Sequence, residues 1–153
     1  MRTASIIRII LLTGLAIIAA SGQVFAETLA DTTEPLALRK IMQDLGKNMQ
    51  TIIDGISRED WELVEKIALQ VADHPQPPLV EKVRILSFAG SNVSKFKGYD
   101  GKTHDAARVL AEVAAEKDGH GVILAFSELQ NTCLACHESF RKSFQAHFYG
   151  QFK

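Results

Sequence analysis

The sequence predicts an all-α fold, an antiparallel four-helix bundle, and three observations predict it. Apolar residues recur at the three-and-four spacing of a helix along most of the chain. Period-two alternation, the mark of half-buried strands, occurs nowhere. The breaks between periodic stretches are rich in glycine, proline and polar residues, as expected of turns and loops between helices.

The first residues carry an address rather than a fold. Arg2 and Arg8 form a positive start, "IILLTGLAIIAA" is an apolar run, and "SGQVFA" places Val24 and Ala26 where a signal peptidase reads. Cleavage after Ala26 is expected, because the apolar run falls short of the ~20 residues that span a bilayer. Residues 1–26 are then a secretory signal peptide and 27–153 the mature domain. The expected location is the periplasm, with no membrane insertion once the signal is gone. Removing that segment takes Lys+Arg from 17 to 15 against 18 Asp+Glu, so the formal charge moves from -1 to -3. No basic stripe with interleaved aromatics is present, which argues against nucleic acid as a partner.

The first helix is expected from Thr33 to Gly55, with Leu38, Ile41, Met42, Leu45, Met49, Ile52 and Ile53 on one stripe. Thr33 is placed to cap it, Pro35 suits its first turn, and Gly55 is placed to end it. The second is expected from Ser57, with Asp60 reaching back as in a capping box and Trp61, Val64, Ile67, Ala68 and Val71 as its stripe. "HPQPP" ends it. Val80 to Ala89 reads as a short helix and "GSNVSKFKGYDGK" as a loop. Thr103 caps the third long helix, which carries Ala107, Leu110, Val113 and Ala114 and closes at "KDGHG". The fourth runs from about Gly121 to Phe144 with Val122, Phe126, Leu129, Cys133, Cys136 and Phe140 on one face.

"CLACHESFRK", residues 133–142, holds every cysteine of the chain. Cys133, Cys136 and His137 stand at i, i+3 and i+4 of the last helix, so all three project from the side that the apolar stripe turns inward. Cys-x-x-Cys-His is the attachment motif of a c-type haem: two thiolates add across the vinyl groups and the adjacent imidazole binds iron. A structural zinc site needs four ligands, and this cluster offers three with no second cysteine pair. A thioredoxin-like pair belongs at a helix N-terminus after a strand. A plain disulfide explains the cysteines and leaves His137 unused. The expected cofactor is therefore one haem c, attached through two thioethers.

The other face of the iron decides function, since a methionine there gives a closed electron carrier and an empty position leaves a site for small gases. Downstream of the signal the chain has two methionines, Met42 and Met49, both on the first helix. Met42, Met49 and an open sixth position remain alternatives. Gly46, one turn after Met42, costs about 1 kcal/mol of helix stability against alanine and suggests the close approach of a flat group. Phe126 and Phe140 are candidates to pack on a porphyrin as well as ordinary core. His74, His104, His120 and His147 read as surface histidines.

With these residues in view the sequence resembles the class II cytochromes c, that is cytochrome c′ and its methionine-ligated relatives of the cytochrome c-556 type. "CLACHESFRK" matches the family's C-terminal Cys-x-x-Cys-His-x-x-Phe-Arg, and "LRKIMQDLGKNMQTI" is similar to its first helix. The resemblance implies a haem held between the first and last helices, thioethers at Cys133 and Cys136, and His137 as the proximal ligand. It implies Met42 as the distal ligand in a methionine-ligated member and Arg141 near the proximal side. Relatives often carry an arginine four residues before the distal position, where it meets a haem propionate; here Arg39 stands three before Met42. "ADHPQPP" has no counterpart in the pattern. The functional expectation is a periplasmic single-electron carrier that is not an enzyme and serves redox partner proteins. The alternative is a five-coordinate protein binding NO or CO. The resemblance leaves a homodimer open, since members of the family often form one.

Overall fold

A computed structural model describes residues 35–150. The expected signal peptide, its cleavage point and the Thr33 cap lie outside the described residues. Among the described residues there is no strand. The helices are α1 (Ala37–Ser57), α2 (Trp61–Ala72), α3 (Leu79–Ala89), α4 (Val93–Ala115), α5 (Gly119–Cys136) and α6 (Lys142–Tyr149). A 3-10 turn, Gly90–Asn92, leads into α4, and a π turn, His137–Arg141, joins α5 to α6 so that the two continue as one long rod. The four long elements of the bundle are α1, α2, α4 and the α5–α6 rod, and α3 is an added short helix.

The core forms where the predicted stripes meet. Ile52 of α1, Val64, Ala68 and Val71 of α2, Leu110 and Ala114 of α4, and Val122 and Leu129 of α5 are fully or almost fully buried in one cluster. Each large aliphatic among them contributes roughly 1.5–3 kcal/mol relative to exposure. α2 packs extensively on α4, α4 on α5 and α1 on α2, whereas α1 meets α5 at only a few positions. The order round the bundle is therefore α1, α2, α4, α5, tightly closed along three seams and thinly closed along the fourth.

Several boundaries differ from those expected. α1 does not stop at Gly55 but runs on to Ser57, whose hydroxyl donates to the Ile53 carbonyl at 2.8 Å. It ends in a Schellman turn: Glu59 adopts φ 56°, its N–H donates to Ile56 O, and the Asp60 N–H donates to Gly55 O. Gly55 serves the packing instead. A Cβ there would lie 2.9 Å from Cγ2 of the fully buried Val64, so glycine lets α1 and α2 approach. Asp60, not Ser57, caps α2 by accepting from the Leu63 N–H at 3.1 Å.

α1 has no cap of its own, since Leu36 offers no side-chain acceptor. Its first N–H groups are satisfied from α3: Ala37 N and Leu38 N donate to the two carboxylate oxygens of Glu81 at 2.7 and 2.8 Å. A carboxylate is well suited there, because the helix N-terminus carries partial positive charge.

The largest correction concerns residues 93–102, expected as loop and found as the first turns of α4. Gly98 and Gly101 lie inside this helix, and Thr103 is interior, its hydroxyl bonded to the Tyr99 carbonyl at 3.0 Å. Each interior glycine costs about 1 kcal/mol. Aromatic packing offsets that cost, for Phe96 meets Phe140 edge-on at 5.3 Å between ring centroids and Tyr99 meets the same ring at 6.2 Å.

Candidate functional site

Cys133 and Cys136 are free thiols, three residues apart near the end of α5, and both are half-buried. The helix holds them on one side because residues at i and i+3 are neighbours on its surface. Burial pushes the Cys133 thiol up from its ordinary pKa, against the hydrogen bond from Thr132. Burial also raises Cys136, and the negative charges of Asp100 and Cys133 add to it.

His137 begins the π turn; the residue reaches solvent while its ring is partly covered. Burial of its ring, followed by the positive charge of Arg141, lowers its pKa and favours the neutral imidazole, the form that binds a metal. The turn also settles the register. Cys136, Phe140, Phe144 and Phe148 are spaced by four each time, and in a straight helix every such step overshoots by about 40°. The wider turn at His137–Arg141 takes up the extra residue. Phe140 is thereby buried against Phe96 and Tyr99, while Phe144 and Phe148 pack round Phe88 of α3 at 5.4 and 5.6 Å. Beside His137, the Tyr99 hydroxyl and Ser139 Oγ are hydrogen-bonded at 3.0 Å, tying the turn to α4. Phe126 is part-buried against the main core.

The two methionines occupy different surroundings. Met49 packs against the core cluster, whereas Met42 is 42 % exposed. At about 100° per residue, Met42 lies about 140° and Gly46 about 180° round α1 from Gly55, which touches α2. Both are therefore on the flank of α1 turned away from α2. Gly46 has no atom within 4 Å of where a Cβ would stand, so space remains beside it. Ile53, on the same flank, is 48 % exposed.

This arrangement fits a haem c. Two free thiols, a neighbouring imidazole and an apolar flank with a thioether on the facing helix are the donor set that such a group takes. Arg141 is exposed one turn beyond His137. The Arg39 guanidinium lies over the Tyr149 ring of α6, 5.7 Å from the centroid, and so links the start of α1 to the end of the rod.

Two of the expected surface histidines are only partly exposed. The side chains of His74 and His104 are 7 % and 18 % exposed, and they stack at 4.7 Å beside Asp100. His120 and His147 are exposed, as expected. The Asp100 carboxylate, facing the His74 ring as acceptor, raises the pKa of His74, and the same contact holds the Asp100 carboxyl below its usual range. The sequence signal for this cluster was Asp100-x-x-x-His104, a pair one helical turn apart, hidden while the segment read as loop.

Among known proteins, the family model described as Cytochrome C' matches residues 90–141, spanning α4, α5 and the π turn. No curated protein and no solved structure gave a match.

Proposed function

We propose, from a family match that supports a class II cytochrome c of the cytochrome c′ type, that this chain is a periplasmic carrier of single electrons. The observation that carries the reading is the pair of free, half-buried thiols Cys133 and Cys136 followed at once by His137, all inside the matched segment. Cys133 and Cys136 would anchor one haem c by thioethers, His137 would be the proximal ligand and Met42 the distal one. The haem supplies a reversible one-electron change at iron.

The chain's own residues do the rest. The π turn presents His137, Phe140 and its packing on Phe96 and Tyr99 fix that turn, and with a haem in place the apolar flank of α1 would cover its far side. Ligation on both sides and a dry pocket favour fast electron exchange with little rearrangement and set the potential by ligand identity and burial. Among the described residues no helix is long and apolar enough to cross a membrane. Export and action in the periplasm rest on the N-terminal sequence pattern alone.

Substitution of the methionines tests the ligand assignment. Met42→Ala should convert a six-coordinate, low-spin haem into a five-coordinate one that takes carbon monoxide, and Met49→Ala should leave the spectrum low-spin. A low-spin Met42→Ala protein would remove Met42 as ligand. A wild type that is already high-spin and binds the gas would replace the carrier by a gas-binding protein.

A further inference from the structure

Outside the haem ligands, the described residues bring together three side chains able to hold a metal ion. His74 lies on the connection after α2, and Asp100 and His104 stand one turn apart on α4, so that they project from one face. Nε2 of His74 is 3.7 Å from Asp100 Oδ1, and Nε2 of His104 is 3.5 Å from Asp100 Oδ2. One ligand atom of each residue lies within 4.8 Å of the other two.

Both rings are held from behind. Nδ1 of His74 is hydrogen-bonded to the Pro75 carbonyl at 3.0 Å, and Nδ1 of His104 to the Ala72 carbonyl. A carbonyl oxygen only accepts, so each Nδ1 carries the proton and each Nε2 is the atom left to coordinate. Backbone support of this kind fixes the tautomer of metal-bound histidines. The neighbouring acids are otherwise engaged, since Arg108 pairs with Asp73 at 3.5 Å and with Asp105 at 3.3 Å.

We propose that His74, Asp100 and His104 form a binding site for one divalent transition-metal ion of the zinc type, with two imidazoles and one carboxylate as ligands and water completing the shell. Tetrahedral zinc with bonds of about 2.0–2.1 Å sets neighbouring ligand atoms roughly 3.3 Å apart, so the observed 3.5 and 3.7 Å need contract only slightly. The rings are nearly parallel, 16° apart, and the lone pairs must converge. That movement falls on His74, which sits in the proline-rich connection rather than inside a helix. Imidazole donors select zinc, cobalt, nickel or copper over magnesium and calcium. Asp100, 46 % exposed, leaves the water side open. Bound there, the ion clamps the α2–α3 connection onto α4.

Isothermal titration of tag-free, haem-loaded protein with zinc chloride tests the site. The wild type should take up one equivalent, and Asp100→Asn and His74→Gln should each weaken uptake by roughly 100-fold or more. Zinc should raise the Tm of the wild type and leave that of the variants unchanged. In the wild type itself, the ring-nitrogen resonances that move should be those of His74 and His104, a readout independent of whether the variants fold. Absence of stoichiometric uptake, undiminished affinity in a folded variant, or shifts confined to His120 or His147 would each overturn the proposal.

Discussion

His74 and Asp100 make stability depend on pH from both sides. The folded protein holds the His74 proton more tightly than the ordinary value of 6.5 implies, chiefly through the hydrogen bond to Asp100. That contribution is fully present below about 6.5 and is lost as pH rises through the higher folded value. Asp100 is shifted down from 3.8, so its contribution is present above 3.8 and lost as pH falls through the lower folded value. The groups facing the pair are His104, Asp73, Asp105 and Arg108, with Cys136 of α5 close enough to feel the Asp100 charge. In metal-free, chelator-containing buffer, the Tm should be highest between these limits, and Asp100→Asn should flatten the loss on the alkaline side. A wild-type profile that rises through pH 7 to 8 would contradict the pairing. Gly55→Ala is the second test at this scale: the new methyl meets a rigid, fully buried Val64, and overpacking should cost about 1–3 kcal/mol by denaturant unfolding. The sequence offered Gly55 as a helix stop, and only its distance from Val64 reveals it as a packing residue. By contrast, Cys133, Cys136 and His137 were legible at once, because their chemistry depends on spacing within one helix.

At the scale of elements, capping shows how a short added helix steadies a long one. Glu81 of α3 satisfies two N–H groups of α1, and Glu81→Ala should remove about 0.5–2 kcal/mol, read as a lower urea midpoint with an unchanged slope. Sequence pattern located α2, the later part of α4 and α5 because each carries a complete local stripe. It missed the opening turns of α4, where Gly98 and Gly101 weaken the local signal and the compensating contacts come from Phe140, some forty residues away. The Glu81 cap escaped notice for the same reason, being a contact between distant parts of the chain. The π turn was present in the spacing of Cys136, Phe140, Phe144 and Phe148, three successive steps of four that a regular helix does not keep in line.

Across the whole molecule, the bundle is closed firmly along three seams and thinly along the one between α1 and α5. The α5–α6 rod carries Cys133, Cys136 and His137, and α1 carries Met42 and Gly46. The bundle itself was legible from helical periodicity, whereas the uneven closure depends on which side chains meet and required the folded chain. The proposed function places a pigment between the first and last long helices, and the family match to residues 90–141 supports a c-type cytochrome. The visible spectrum of the purified, reduced protein, recorded with and without carbon monoxide, tests this most directly. The expected result is a low-spin ferrous haem spectrum that the gas leaves unchanged. A colourless protein made in cells competent for haem attachment, or a high-spin spectrum that shifts under the gas, would contradict it.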